Sequence, residues 1–331
     1  MWLRPERPVR FIGKYAAVHW RREDTRVATD TEEEADFGRA GEIRKVRPDV
    51  SVVIPCRRQA SRLRLTLAGL ERAGADLETL VVDDGGDPEV YGVVEEWRER
   101  MPVHYLTCPT SGMRRGVPRN VGARAAKGDV LVFLDADAIP QPEAIREHYG
   151  TVQESKAWSM GNLRCIPRTE LLSDPVSGVG IADLASVLGQ GLVQYEIEER
   201  ALRSRVPLSV VRECPSELNA ISVEGPYPGT AALFRFLRGV CEETSARVAK
   251  CLCCLPHNCA ISRRDFHRLG GLSETLEHKE GWHFGYKAVS DGLTCSFAAR
   301  AVTYHCFHLH GVARQQRDLK NQRAADKAMI R

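Results

Sequence analysis

Short apolar runs alternate with amphipathic stretches along the chain from Asp49 onward. The apolar runs have the length and β-branched content of buried strands: Val50–Pro55, Thr79–Val82, Val103–Leu106 and Val130–Leu134. The stretches between them carry apolar residues at helical spacing: Leu63 with Leu67 and Leu70, then Pro88–Arg100 and Arg119–Lys127. Strands that alternate with helices predict an α/β fold with a mostly parallel sheet and helices on both faces.

The apolar run in Val130–Pro140 is followed by two carboxylates, Asp135 and Asp137, separated by one residue. Alternation in an extended chain would orient both side chains alike. Ligands of α/β sheets bind beyond the carboxyl ends of the strands, where Pro55, Asp83 and Asp84 are also expected. Carboxylates at such an edge suit Mg²⁺ or Mn²⁺, although acids that only cap the following turn would produce the same pattern.

Composition and charge narrow the class of protein. The 331 residues carry a formal net charge of +3 with charges of both signs, so nothing global points to nucleic acid as a partner. Residues 1–20 lack the uninterrupted apolar core of a signal peptide, and no stretch approaches the roughly 20 apolar residues of a membrane span. We therefore expect a cytoplasmic protein without an integral membrane span, whose cysteines are mostly reduced.

Four short motifs stand at predicted strand ends and helix starts. They are Val50–Pro55, Val-Val-Asp-Asp-Gly-Gly-Asp at 81–87, Pro-Arg-Asn-Val-Gly-Ala-Arg-Ala-Ala-Lys-Gly-Asp at 118–129, and Leu-Asp-Ala-Asp, a DxD motif, at 134–137. In this order and spacing, the chain resembles family 2 glycosyltransferases with the GT-A fold over about residues 49–310. The resemblance implies a Rossmann-like sheet with an acceptor-side subregion.

The same resemblance divides the chain into parts. An N-terminal extension, partly flexible, covers 1–48, and a nucleotide-sugar-binding half covers 49–150. An insertion that forms an acceptor or lid region covers 151–256, and an acceptor-side catalytic half covers 257–312. A helical tail is expected at 313–331.

The resemblance assigns donor nucleotide binding to seven residues. They are Pro55, Arg57, Asp83, Asp84, Arg119, Asn120 and Asp135. An aspartate that accepts a hydrogen bond from a pyrimidine ring N–H favours a UDP-sugar as the donor. Arginine is well shaped to clamp phosphate, and three arginines lie in the segment 111–120. A plain turn at 83–86 and a solvent-facing basic loop at 111–120 would explain the same residues without a ligand.

The predicted metal site centres on Asp137, with Asp135 on the ribose or the metal. The resemblance places a histidine in the metal shell near the end of the last strand, with His305 the first candidate and His308 the second. Alternation would put His308 and His310 on one face and His305 on the other if the strand continued. The cofactor implied is Mn²⁺ or Mg²⁺. Alternatively, the histidines are only the polar end of a strand and bind no metal.

The catalytic base is the open point. In Glu280–Lys287, inverting relatives carry Glu-Asp, with the Asp as base, and this chain has Gly281 in that place. Glu280 is the first substitute and His283 the second. Gly281 is equally compatible with an acceptor that needs little deprotonation, such as a thiol, with an acceptor that supplies the base, and with an impaired enzyme.

Three further segments carry structural predictions only. Ile181–Leu202 is expected to be a helix, and Pro207–Thr230 a loop near the acceptor. Cys251–Cys254, with His257 and Cys259 behind it, lacks the paired spacing of a zinc site and is expected to be the buried cysteines of a strand.

The sequence as a whole predicts a metal-dependent inverting glycosyltransferase of the hexosyltransferase class. Its partners would be a nucleoside diphosphate sugar and an acceptor that is a small molecule, glycan or peptide. The rivals are a noncatalytic nucleotide-sugar-binding module, a GT-A nucleotidyltransferase and a cysteine-rich metal-binding protein. Arg57 and Arg58 follow Pro55 without a glycine-rich loop, which disfavours the nucleotidyltransferase.

Overall fold

The computed structural model describes residues 10–11, 48–73, 77–109, 114–155, 157–169, 172–180, 205–243, 245 and 247–308. The predicted helix Ile181–Leu202, the tail 313–331, His310 and almost all of 1–48 lie outside the described residues. The helices are α1 Ala60–Leu70, α2 Pro88–Trp97, α3 Gly116–Ala125, α4 Ala144–Ser155, α5 Leu208–Glu213, α6 Ala231–Glu242, α7 Arg263–Arg268 and α8 Glu280–Ser290.

The strands begin with a short pair of residues, β1 Arg10–Phe11, and continue through the predicted runs. They are β2 Val50–Cys56, β3 Leu77–Asp84, β4 Val103–Cys108, β5 Val130–Leu134, β6 Ala138–Pro140, β7 Trp158–Ile166, β8 Leu172–Asp174, β9 Val179–Gly180, β10 Val223–Glu224, β11 Asn258–Ser262 and β12 Cys295–Cys306. Short 3-10 helices cover Pro167–Thr169, Pro215–Asn219 and Val248–Cys253.

Ten of the described strands form one sheet in the order β1-β4-β3-β2-β5-β11-β7-β12-β6, with β10 beside β7. Strands β4, β3, β2 and β5 run parallel, as do β7 and β12. Strand β11 lies between β5 and β7 and is antiparallel to both. The predicted α/β class and mostly parallel sheet are confirmed, and the reversed β11 joins the half before residue 150 to the half after residue 250.

Helices cover both faces of the sheet because side chains alternate along its central strands. In β2, Val52 and Ile54 pack into the cluster that contains α1 and α2, whereas Val53 packs into the cluster that contains α3, α6 and α8. All three valine and isoleucine side chains are fully buried. This two-sided burial produces the continuous apolar runs by which the strands are recognised in the sequence.

The structure corrects three predictions of local structure. Helix α3 begins at Gly116 rather than Arg119, because Pro118 fits the first turn of a helix. Pro207–Thr230 is not a plain loop, since it contains α5, a 3-10 helix and β10. Cys251–Cys254 is not a strand, because Val248–Cys253 forms a 3-10 helix whose backbone packs against α8.

Candidate functional site

The carboxyl end of β5 carries the predicted aspartates in a turn. Strand β5 ends at Leu134 and β6 begins at Ala138. The Ala138 N–H donates to the carbonyl of Asp135 at 3.1 Å, which closes the turn. The extended alternation predicted for the two aspartates is therefore wrong. Their side chains differ in exposure, at 29% for Asp135 and 7% for Asp137.

Asp137 gathers two histidines around its buried carboxylate. Its Oδ2 lies 3.0 Å from Nε2 of His308 and 3.5 Å from Nε2 of His305. In the described residues, these three side chains offer ligand atoms that all lie within 4.8 Å of one another. Both histidines contact the same carboxylate, and the placement on opposite faces, which required a strand that continues through His308, does not apply. The reason is that β12 ends at Cys306 and the chain leaves the strand before His308.

The contacts around this group direct Nε2 of both histidines at Asp137. The Nδ1–H of His305 donates to the carbonyl of Pro226 at 2.8 Å, so its Nε2 carries the lone pair when the ring is neutral. The amide of Gln59 lies 3.2 Å from Nε2 of His308 and 3.5 Å from Oδ2 of Asp137. Lone pairs that face a carboxylate need a proton or a shared cation between them.

A divalent cation fits this set of donors. The second carboxylate oxygen of Asp137, Oδ1, is buried and has no hydrogen-bond partner among the described residues. A buried unsatisfied carboxylate oxygen is costly, and a cation would satisfy it. Asp137, His305 and His308 supply carboxylate and imidazole ligands, which suit Mn²⁺ more closely than the all-oxygen shell that Mg²⁺ prefers.

Charge coupling within the group is strong in the absence of a cation. Burial by itself would raise the pKa of the Asp137 carboxyl, but His305 and His308 hold that pKa well below its usual range. Burial by itself would lower the pKa of His305, and the adjacent Asp137 instead raises it well above its ordinary value.

Arg119 joins the two halves of the site. Its side chain is 2% exposed, and its Nη2 donates to Oδ1 of Asp135 at 2.5 Å. Its Nη1 donates to Oε1 of Glu280 at 2.8 Å. The guanidinium therefore bridges the turn after β5 and the first residue of α8. The resemblance predicts that Arg119 binds the donor, whereas the structure places it in a buried bridge that positions two carboxylates.

Asn120 forms its side-chain hydrogen bonds with Leu272 and Glu274. Its Oδ1 accepts from the N–H of Leu272 at 2.9 Å, and its Nδ2 donates to the carbonyl of Leu272 at 2.8 Å and to Glu274 at 3.1 Å. These bonds tie α3 to the Gly270-Gly271 turn. A Cβ on Gly271, whose φ is +66°, would lie 2.8 Å from Oδ1 of Asn120. Asn120 therefore holds the turn against α3, and its predicted contact with the donor stays a prediction.

The ends of β2 and β3 lie side by side, as predicted for a base-binding edge. Asp83 is fully buried, and its Oδ2 accepts from the hydroxyl of Tyr105 at 2.7 Å and from the N–H of Asp87 at 2.5 Å. Burial raises the pKa of Asp83, while the Tyr105 bond opposes the rise. Arg57 Nη1 is 3.8 Å from Oδ2 of Asp84. Pro55, at the end of β2, is paired in register with Val82.

Gly281 stands where a base would be expected from the resemblance, and its surroundings exclude a side chain. A Cβ built there would lie 2.4 Å from Cδ of Pro256 and 2.5 Å from the carbonyl oxygen of Cys254. Position 281 therefore points into the segment that precedes β11, not into the cleft. Glu280, at 7% exposure, is the carboxylate of this helix that reaches the site.

His283 lies one turn further along α8, with its N–H bound to the carbonyl of Lys279 at 3.0 Å. Burial lowers its pKa, and Lys287 lowers it further. Among the described residues, no hydrogen bond joins His283 to Asp135, Asp137 or Arg119. The structure thus brings Glu280 into the site and leaves His283 outside the hydrogen-bonded group.

Two residues of the site are absent from the set predicted by the sequence, and His257 is the first. Strand β11 pairs with β5 in a register that sets Asn258 against Leu134, and His257 and Asp135 directly flank this last pair. Burial lowers the pKa of His257 to about 4, and the charge of Asp135 acts on it in the opposite direction. Its Nε2 is buried without a hydrogen-bond partner in the part of the chain that the structure describes.

Arg115 is the second such residue. It is the N-cap residue of α3 and is half-buried. Burial by itself would lower the pKa of Arg115, but the nearby charges of Asp135, Glu280 and Asp137 raise it. Because Arg119 is already engaged by two carboxylates, Arg115 is the arginine of α3 better placed to meet an anionic ligand. A basic loop ahead of a helix is the sequence signal, and the choice among its arginines needs the structure.

The family match covers the first half of this site. Residues 51–204 match the family described as glycosyl transferase family 2. We call residues 51–204 the family 2 segment. The family 2 segment carries β2, β3, the start of α3 and the turn with Asp135 and Asp137, and the mixed α/β sheet is of the GT-A type. His257, Glu280, His305 and His308 lie beyond the matched residues.

Several curated glycosyltransferases are similar to part of this chain. Validoxylamine A glucosyltransferase of Streptomyces hygroscopicus subsp. jinggangensis is 35% identical over 102 residues, which cover 30% of this chain and 24% of the relative. Chondroitin synthase of Escherichia coli is 34% identical over 95 residues, 28% of this chain and 14% of the relative. The chain thus spans a quarter or less of these relatives' length.

Solved structures resemble the chain at low identity. The crystal structure of S. aureus TarS shares 16% identity at a TM-score of 0.48 and covers 78% of this chain and 36% of that one. Mannosyltransferase PcManGT of Pyrobaculum calidifontis, in complex with GDP-Man and Mn²⁺, shares 17% at a TM-score of 0.45, with coverages of 79% and 58%. The fold assignment rests on the family match and the sheet topology. Among the described helices, none is long and apolar enough to cross a membrane.

Proposed function

We propose that this protein transfers a sugar from a nucleoside diphosphate sugar to an acceptor, with inversion at the anomeric carbon and with the help of Mn²⁺ or Mg²⁺. The observation that carries the proposal is the group of Asp137, His305 and His308 at the carboxyl edge of the sheet, next to the Asp135–Arg119–Glu280 bridge. The family 2 segment and its glycosyltransferase relatives support the reaction class.

The donor would lie across the carboxyl ends of β2, β3 and β5. The edge formed by Arg57, Asp83 and Asp84 suits a nucleotide base and ribose, and a UDP-sugar is favoured because an aspartate can accept from a pyrimidine ring N–H. Arg115 would meet the diphosphate. Asp135, held by Arg119, is exposed enough to contact the ribose or the sugar.

The metal ligands would be Asp137, His305 and His308. A divalent cation bound there would neutralise the negative charge that develops on the departing nucleoside diphosphate. The carbonyl of Pro226 fixes the tautomer of His305 through its other ring nitrogen. The Gln59 amide contacts Nε2 of His308 and would give up that contact when the ion binds there. The departure of a diphosphate then needs no general acid from the protein.

Inversion requires a base on the acceptor side. Glu280 remains the first candidate, because it begins α8 beside Asp135 and because Gly281 points away from the cleft. Arg119 engages Oε1 of Glu280 and keeps the carboxylate in place, which leaves the acceptor proton to the other oxygen. His283 is the second candidate, and His257 joins them because burial favours its neutral imidazole and because the charge of Asp135 acts on it.

The test uses release of the nucleoside diphosphate from a panel of UDP- and GDP-sugars, with Mn²⁺ or Mg²⁺, because hydrolysis to water needs no known acceptor. Asp137→Asn should abolish release, Glu280→Gln should reduce it by at least ten-fold, and His283→Asn should keep it. Arg124→Gln, an exposed change in α3, is the control for handling and folding. Turnover that survives both Asp137→Asn and Glu280→Gln would refute this mechanism.

One observation favours a second function, donor binding without transfer. The Cys254 carbonyl and the Pro256 ring occupy the space that a side chain at 281 would need, so position 281 supplies no base. Under this second function, nucleoside diphosphate sugars bind with metal and are not turned over. Equal binding in wild type and Glu280→Gln, with release absent in both across the panel, would establish donor binding without transfer.

A further inference from the structure

Three cysteines from three separate elements converge behind the acceptor-side half of the sheet. Cys241 lies in the last turn of α6, Cys253 ends the 3-10 helix Val248–Cys253, and Cys295 begins β12. Their exposures are 2%, 0% and 2%. The three Sγ atoms all lie within 4.8 Å of one another, and those of Cys241 and Cys295 are 2.9 Å apart.

A buried cation accompanies this cluster. Lys250, at 6% exposure, directs its Nζ to the backbone carbonyl of Cys241 at 2.7 Å and to that of Cys295 at 3.5 Å. A buried ammonium is costly unless negative charge lies near it. Among the described residues, no carboxylate forms an ion pair with Lys250, whereas thiolates of the cysteine cluster would supply that charge.

We propose that Cys241, Cys253 and Cys295 bind one thiophilic metal ion, of the zinc or copper(I) class, as thiolates. Thiolates at about 2.3 Å from a shared ion lie about 4 Å from one another, which is below the 4.8 Å within which all three sulfurs lie. The Sγ atoms of Cys241 and Cys295, now 2.9 Å apart, would separate by about 1 Å when the ion binds. Soft sulfur ligands select these ions over Mg²⁺ and Mn²⁺, so the cluster and the Asp137 site would hold different metals.

The charges balance on binding. Three thiols release three protons to solvent, and the three thiolates with one divalent ion carry a net charge of −1, which the ammonium of Lys250 offsets. With a monovalent ion the cluster would keep one thiol protonated to reach the same net charge.

The site would fix the segment on which α8 rests. Gly285 of α8 approaches the carbonyl of Cys251, and a Cβ on that glycine would lie 2.4 Å from it. Gly281 makes the equivalent approach to Cys254. A metal tie between the 3-10 helix, α6 and β12 would therefore hold the backbone that positions Glu280. The proposed cysteine metal site does not depend on which sugar, if any, the protein transfers.

The first experiment measures metal content of the whole chain, purified under reducing conditions, by inductively coupled plasma mass spectrometry. One zinc or copper ion per chain is expected, retained in Cys251→Ser and lost in Cys253→Ser. Cys251 is the matched control because it lies in the same 3-10 helix and outside the cluster. Metal that persists in Cys253→Ser, or its absence after Zn²⁺ and Cu(I) are both supplied, would overturn the proposal.

A second measurement does not depend on the variant folding. Titration of the metal-free wild type with Cd²⁺ should produce a near-ultraviolet thiolate-to-metal charge-transfer band that saturates at one ion per chain. The same band in Asp137→Asn excludes the histidine site as its source. A chain that shows no such band, or that is isolated with a Cys241–Cys295 disulfide and no metal, would also overturn the proposal.

Discussion

Replacing Arg119 by methionine should destabilise the protein far more than an ordinary loss of an ion pair. Arg119 is 2% exposed and contacts Glu280, which is 7% exposed. Removing the guanidinium leaves a buried carboxylate without its partner, a change that costs about 3–5 kcal/mol. Asp135 adds little to this cost, because its side chain is 29% exposed and stays hydrated.

Arg124 provides the matched control on the same helix. It pairs with Glu274 at 3.4 Å, and both side chains are nearly half exposed, at 45% and 47%. An exposed pair of this kind contributes about 0–1 kcal/mol. Arg119→Met and Arg124→Met can be compared by urea unfolding monitored by tryptophan fluorescence and by circular dichroism.

The double variant Arg119→Met, Glu280→Leu separates charge burial from packing. With both buried charges removed, we expect most of the lost free energy of unfolding to return, while release of nucleoside diphosphate stays lost. If Arg119→Met costs no more than Arg124→Met, or if the double variant is less stable than the single one, the buried bridge is not as described.

Three further predictions concern single residues. Gly281→Asp should lower the free energy of unfolding by about 1–3 kcal/mol through overpacking against Pro256, without raising turnover; faster turnover would show that position 281 does reach the cleft. Gly271→Ala should cost at least about 1 kcal/mol, because φ is +66° and the new Cβ meets Asn120, whereas Gly150→Ala, in open space on α4, should cost nothing; equal effects would contradict this. Lowering the pH from 7 to 5 should reduce the free energy of unfolding by about 2 kcal/mol through His148 alone. In His148→Gln, this part of the pH dependence should be absent from thermal or urea unfolding.

The sign of the His148 effect follows from its burial. It is fully buried between Ser159 and Asn258, each at 2.8 Å, and burial lowers its pKa from 6.5 to about 4. The unfolded chain therefore takes up a proton first as the pH falls below 6.5. Stability is complete above that pH and is lost progressively toward pH 4. An unchanged pH dependence in His148→Gln would contradict this account.

The sequence pattern predicts the first half of the fold well because its elements form locally. Buried strands such as β2 and β5 are visible as continuous apolar runs, and the DxD turn follows directly from the end of β5. Asp137 and His305, which the structure brings together, can be named from the family resemblance even though 168 positions separate them. The faces predicted for the histidines required a strand that continues through His308, and nothing in the sequence marks the end of β12 at Cys306.

Other features depend on contacts that no local pattern encodes. The antiparallel pairing of β11 with β5 sets Asn258 against Leu134 and thereby brings His257 to the end of β5, and nothing in the sequence around His257 specifies that register. Which of the two arginines, Arg115 or Arg119, is engaged by a carboxylate depends on which of them reaches Glu280, and the structure has Arg119 there. The cysteine cluster draws its members from positions 241, 253 and 295, so its ligand spacing has no resemblance to a paired zinc motif.

Calorimetric titration of UDP into the wild type and Asp137→Asn, each with and without Mn²⁺, tests directly whether a metal ion held by Asp137 binds the diphosphate. We predict tight binding only for the wild type with Mn²⁺, with at least a ten-fold loss of affinity when either the metal or the Asp137 carboxylate is absent. A circular dichroism spectrum and melting curve establish that the variant is folded. Equal affinity in all four titrations would contradict a metal-bridged diphosphate site.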